Sequence, residues 1–178
     1  LFMSLIATVS IDSLGNFHIA NQVAMAILFI PTAIQPVLAS HFRKNNNINL
    51  QSKLRFIFKA SLPSVLIVII ALLFAPYIAN FYDNYKNFLI LYIILTISII
   101  PKTINTLIAP LITSLNYQWM SSITKNFSQI FLLLIIFLLF KFKFKFDEIV
   151  FSQLKLTSLI LSAIFTLIIL KVVSKNYD

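Results

Sequence analysis

Long apolar runs, separated by short polar segments, dominate the pattern of hydrophobic and polar positions. No charged residue occurs in 62–79, 127–140 or 156–170. An apolar helix of about 20 residues matches the roughly 30 Å hydrocarbon core of a bilayer, and Ser, Thr and Asn at the ends complete the shorter runs. The pattern therefore predicts an all-α fold, a polytopic bundle of transmembrane helices.

The runs predict about five full membrane-spanning helices and the end of another. The full spans are predicted at 17–42, 56–81, 88–114, 123–140 and 149–173. Residues 1–11 are predicted to be the last turns of a preceding helix. Residues 12–16 are predicted to form a turn, in which Gly15 adopts a positive φ and Asn16 caps the first full span.

Three successive spans contain two prolines each, at Pro31 and Pro36, Pro63 and Pro76, and Pro101 and Pro110. A proline within a membrane helix leaves a carbonyl without its usual donor and bends the axis. Two interpretations stay open: bends without a role, or helices that curve around a central cavity, as transporters require. Separately, two alanines four residues apart, Ala20 and Ala24, predict a close helix contact.

Basic residues flank the apolar runs and predict the orientation of the chain. The segment 41–59 contains five basic residues and no acidic one. The positive-inside rule therefore places this segment in the cytoplasm, and the number of spans then places the C-terminus there as well. The lysines of 141–145 would lie on the periplasmic side, where Asp147 and Glu148 partly offset their charge.

Composition excludes several classes of function. With 60% hydrophobic and 11% charged residues, the chain has too little polar surface for a soluble domain of 178 residues. It contains no cysteine, which excludes disulfides and thiolate metal sites. With two histidines and five scattered acids, we expect neither an enzyme nor a cofactor. The net charge is +9, but the basic residues mostly flank apolar runs, as the topology signals of a membrane protein do. No nucleic-acid partner is therefore expected.

Two segments resemble a known family of transporters. Residues 14–24 (LGNFHIANQVA) and 29–38 (FIPTAIQPVL) lead to the basic pair Arg43 and Lys44. They are similar to the polysaccharide-flippase branch of the multidrug/oligosaccharidyl-lipid/polysaccharide exporter superfamily, in which a helix of the second six-helix lobe starts with a Leu-Gly turn. Residues 73–82 (LFAPYIANFY) resemble the Phe-Ala-Pro helix end of that family, although the glycine that usually follows is missing.

The resemblance implies that residues 1–178 are the C-terminal transmembrane lobe of a larger transporter of the bacterial inner membrane, with the N-terminal lobe absent. The implied function is to flip an oligosaccharide linked to a polyprenyl diphosphate, for surface-polysaccharide synthesis. The implied partners are this lipid-linked oligosaccharide, membrane lipids and the N-terminal lobe. Alternatives are another multidrug or lipid exporter of the superfamily, a membrane-embedded glycan polymerase or ligase, and a structural membrane subunit.

Four polar residues within the predicted spans are the candidate substrate-binding residues: Lys102, Asn105, Gln22 and Asn21. A lysine at mid-depth costs on the order of 3 kcal/mol on insertion scales. Lys102 is therefore interpreted either as a cavity cation that attracts the diphosphate, or as a lysine that snorkels or lies closer to a helix end. The three amides either line a polar cavity or connect helices. Lys155 is expected to snorkel towards the periplasmic interface.

Overall fold

The computed structural model describes residues 11–44, 50–141 and 147–175. Within these ranges every regular element is helical and there is no strand, so the predicted all-α fold is confirmed. The helices are α1 (Ile11–Met25), α2 (Phe29–Lys44), α3 (Leu50–Leu73), α4 (Ala75–Asn80), α5 (Phe88–Ile97), α6 (Ile99–Ser114), α7 (Gln118–Lys141) and α8 (Glu148–Lys175).

The described ranges contain five helical segments that are long and apolar enough to cross a membrane. They are Leu14–Lys44, Gln51–Leu73, Phe88–Ser114, Gln118–Leu139 and Glu148–Val173. Their mean hydropathy is between 1.8 and 2.4, which fits a helix that spans the hydrocarbon core. The chain is therefore a multi-pass α-helical membrane protein. The predicted end of a preceding helix falls almost entirely on residues 1–10, which lie outside the described residues.

The turn predicted at residues 12–16 is wrong, because α1 is continuous through this segment. Gly15 is helical and does not have a positive φ. Asn16 is buried in the same helix and does not cap the start of a new one. A helix satisfies its own backbone hydrogen bonds, which matters most where no water is available. This requirement outweighs the local turn preference of glycine and asparagine.

Prolines mark the points where two of the long spans break. Pro31 has no N–H, so the carbonyl of Ile27, four residues earlier, loses its helical donor. At this position a 3-10 turn, Ala26–Leu28, joins α1 to α2. Pro101 stands in the same relation to Ile97, the last residue of α5. The helices therefore break near Pro31 and Pro101, whereas Pro36, Pro63 and Pro110 lie inside continuous helices.

The broken span 88–114 lies at the centre of the bundle. Its second half, α6, packs against α2, α3, α7 and α8, while α5 packs against α1. Ala20 and Ala24 have no exposed surface and lie in the same apolar cluster as Leu91 and Leu95 of α5, so the predicted close helix contact is confirmed. The central position of α6 decides which polar side chains can meet inside the bundle.

Candidate functional site

A cavity of about 680 Å³ lies between α1, α2, α6, α7 and α8. Below it is called the polar cavity. Its polar lining comes from all five helices and consists of Asn21, Thr32, Gln35, Lys102, Asn105, Thr106, Ser128, Gln129, Lys155 and Ser158. Two of these side chains are basic, and none of the described residues that line the cavity is acidic. The cavity is therefore a half-open space in which two cations and several hydrogen-bonding groups lie among apolar side chains.

Lys102 is placed at the cavity by the break between α5 and α6. It follows Pro101 in the first turn of α6, near the middle of the span 88–114. Its Nζ donates to Sδ of Met25 on α1, at 3.5 Å. A thioether is a weak acceptor, whereas an ammonium group has three N–H donors. Lys102 therefore retains most of its hydrogen-bonding capacity for an occupant of the cavity.

Lys155 joins the same cavity from α8. Its Nζ donates to Oδ1 of Asn21 at 2.6 Å and lies 5.4 Å from the ring centroid of Phe17. The amide oxygen and the negative face of the ring both stabilise the ammonium group. Contrary to the sequence-based expectation, Lys155 does not snorkel towards the interface; its side chain turns inward because α1 supplies these two partners.

Asn105 lines the cavity and also connects helices. Its Nδ2 donates to Oγ of Ser162 at 3.0 Å, and this hydroxyl donates to the carbonyl of Thr124 at 3.3 Å. The chain of hydrogen bonds joins α6, α8 and α7. The Oδ1 atom of Asn105 is buried and has no hydrogen-bond partner among the described residues.

Gln22 is the one candidate that the structure leaves outside the polar cavity. It is exposed, and its amide lies 2.9 Å from Nε2 of His18 on the same helix. Asn21 and Gln22 are neighbours in α1, and successive helical residues point about 100° apart. When Asn21 faces the cavity, Gln22 must therefore face another direction.

Several cavity residues were not selected from the sequence as candidates, and they share one signal. Ser128 and Gln129 are polar interruptions within an apolar helix, and Lys155 interrupts its own span in the same way. A polar residue in a span has two common roles, to line a cavity or to connect helices. The helix packing selects between them, so the sequence signal alone is ambiguous.

The polar groups that line the polar cavity are two lysine ammonium groups, four amides and four hydroxyls. The described residues contain no group of three or more His, Cys, Asp or Glu side chains that could hold a metal ion. Two ammonium groups without an acidic neighbour in the lining create a positive potential. The amides and hydroxyls around them can exchange hydrogen bonds with a polar molecule. The site is suited to an anion that also carries hydroxyl groups.

Comparisons with known proteins add no relative: no family model matches the sequence, and neither the curated proteins nor the solved structures give a match. The class of the protein therefore follows from the fold and the site. It is a multi-pass α-helical membrane protein whose bundle contains a half-open cavity lined by two lysines.

Proposed function

We propose that this chain is a lobe of a flippase that moves a lipid-linked oligosaccharide across the bacterial inner membrane for surface-polysaccharide synthesis. In this proposal the C-terminus lies in the cytoplasm. The observation that carries the proposal is the polar cavity, because it brings Lys102 and Lys155 together inside the bundle. The resemblance of residues 14–38 and 73–82 to polysaccharide flippases supports the same function.

The cavity chemistry matches the part of the substrate that is hardest to move. A diphosphate is doubly charged or more and has a large desolvation cost in a hydrocarbon environment. The ammonium group of lysine is a compact point charge that binds phosphate without a strict geometry. Lys102 and Lys155 can therefore lower that cost, while the amides of Gln35 and Gln129 can hydrogen-bond sugar hydroxyls. Translocation then requires no covalent step.

The broken helices provide the flexibility that alternating access requires. Discontinuous helices beside a substrate site are typical of transporters whose repeats rock against each other. Thr32 and Lys102 line the cavity, and each directly follows a proline, Pro31 or Pro101. A change in the bend at either break would therefore move a cavity side chain. We propose that these breaks act as hinges when the cavity changes its accessible side.

The decisive experiment is genetic complementation in the source bacterium. Deletion of the complete gene should abolish surface polysaccharide and accumulate lipid-linked oligosaccharide, and the wild-type gene should restore export. Lys102→Ala and Lys155→Ala should each lower export by about tenfold or more, because a hydrogen bond to a charged group contributes on the order of 1.5–3 kcal/mol.

A matched control is Lys86→Ala, which removes an exposed lysine from the turn before α5 and should leave export unchanged. All variants are compared at equal amounts in the membrane. Normal surface polysaccharide in the deletion strain would refute the proposed function. Wild-type export by the double variant Lys102→Ala/Lys155→Ala would refute the role of the polar cavity.

A further inference from the structure

A second concavity, of about 510 Å³, lies between α3, α6 and one turn of α8. We call it the α3–α6 groove. It shares no lining residue with the polar cavity. Its floor is aliphatic, formed by the buried side chains of Ile57, Leu107 and Ile108, and its rim includes the exposed side chains of Phe58 and Leu167. The groove is therefore an apolar channel on the outer surface of the bundle.

Two basic residues, Arg55 and Lys59, also line the α3–α6 groove. They are four residues apart, so they lie one turn apart on the same face of α3. The lining surface is almost wholly apolar, which means that these residues contribute their hydrocarbon stems. Long basic side chains commonly bury the stem and keep the charged head in a polar layer. The groove thus combines an apolar floor with two cations beside it.

The cations decide what occupies the groove. In a bilayer every lipid tail is as apolar as the aliphatic floor, so burial of a tail does not distinguish one lipid from another. Basic residues near the membrane surface do distinguish lipids, because they attract anionic headgroups. Arg55 and Lys59 belong to the basic segment 41–59, which is expected on the cytoplasmic side, where anionic lipids are abundant.

We infer that the α3–α6 groove binds an anionic glycerophospholipid of the surrounding membrane. One acyl chain lies along Ile57, Leu107 and Ile108, and the phosphate is held by Arg55 and Lys59. This lipid is a bound component of the protein, separate from any molecule in the polar cavity. The inference does not depend on the proposed transport function.

Native mass spectrometry of the purified full chain in detergent tests the site. The chain is titrated with phosphatidylglycerol and, in parallel, with zwitterionic phosphatidylcholine. Each of the two basic residues contributes about fivefold, the factor that corresponds to ~1 kcal/mol, so we expect phosphatidylglycerol to bind roughly 25-fold more tightly. Arg55→Ala/Lys59→Ala should remove this preference, whereas the charge-conserving Arg55→Lys/Lys59→Arg should keep it.

Two control variants distinguish an effect of the groove from the effect of removing any two basic residues or of adding a large side chain elsewhere. Arg43→Ala/Lys44→Ala removes two basic residues from the adjacent end of α2, outside the groove, and should keep the full preference. Leu167→Trp fills the groove and should weaken phosphatidylglycerol binding by about tenfold. Ile168→Trp adds the same ring at an exposed neighbour that does not line the groove and should have no effect.

Each of the remaining outcomes would overturn the inference. Equal binding of the two lipids, a preference that survives in Arg55→Ala/Lys59→Ala, or unchanged phosphatidylglycerol binding by Leu167→Trp would each show that the groove does not select an anionic lipid. Competition by an equal concentration of inorganic phosphate would identify a site for a soluble anion. Tighter binding of a polyprenyl phosphate than of phosphatidylglycerol would assign the groove to an isoprenoid lipid.

Discussion

At the scale of single residues, the direction of each polar side chain on its helix determines its role. Asn21 and Gln22 are chemically alike and adjacent, yet Asn21 binds Lys155 in the cavity while Gln22 binds His18 outside it. Lys102 and Lys155 gave the same sequence signal, a lysine in an apolar span. Both side chains reach the polar cavity because of the helices that pack against them.

Gly15 is the residue where local preference and structure differ most, and it gives a direct test. A Cβ at this position would meet no atom within 4 Å. Because alanine loses less conformational entropy than glycine in a helix, Gly15→Ala should raise the free energy of unfolding by about 0.5–1 kcal/mol. Thermal unfolding in detergent measures the change.

The reverse substitution serves as the control for Gly15. Ala33 is exposed in the second turn of α2, so Ala33→Gly should lower stability by a similar amount. A turn with positive φ at position 15 would give the opposite sign for Gly15→Ala, since alanine is strained in that conformation. Destabilisation by Gly15→Ala would therefore contradict the continuous helix α1.

At the scale of elements, the start of α8 is fixed by two acidic residues. Oδ1 of Asp147 accepts a hydrogen bond from the N–H of Val150 at 2.7 Å, which caps the helix. The buried Glu148 accepts a hydrogen bond from Nδ2 of Asn87 at 3.1 Å. The second contact joins the start of α8 to the turn before α5. The sequence indicates only that these acids offset nearby positive charge, and neither contact follows from it.

Asp147→Ala should lower the free energy of unfolding by about 1 kcal/mol, because the cap satisfies a backbone N–H that has no partner within the helix. Asp147→Asn should retain most of the stability, since asparagine caps helices about as well. Thermal unfolding of both variants in the same detergent is the measurement. Equal loss in both variants would show that the negative charge, rather than the cap, stabilises this end.

At the scale of the whole molecule, the order and length of the spans define the topology. The membrane-spanning helix α3 lies between Lys44, the last residue of α2, and the turn around Asp83, so Lys44 and Asp83 should lie on opposite sides of the membrane. The excess of basic residues in 41–59 predicts that this segment lies on the cytoplasmic side. Lys44 should therefore face the cytoplasm.

The absence of cysteine from the sequence makes a labelling test simple. With a membrane-impermeant maleimide, Asp83→Cys should react in intact cells, and Lys44→Cys should react only after the inner membrane is opened. The opposite result would reverse the orientation. Reaction of both variants in intact cells would contradict a membrane crossing by α3.

The sequence by itself determined the helical class, the membrane location and the five spans. It predicted bends at all six prolines, and the structure selected Pro31 and Pro101 among them as positions where a long span breaks. These features depend only on residues that are close together in the chain. The length of an apolar run must match the bilayer thickness, and a proline without an N–H affects the carbonyl four residues earlier. The local turn signal at Gly15 failed because backbone hydrogen bonding in an apolar environment favours an unbroken helix.

Only the tertiary structure decided which polar residues meet. Lys102, Lys155 and Asn21 come from three helices far apart in the chain, and their convergence depends on α6 lying at the centre of the bundle. The same packing leaves Arg55 and Lys59 beside the α3–α6 groove. Apolar runs determine that helices enter the membrane, but packing of their side chains determines which faces touch, and a cavity exists only where those faces leave space.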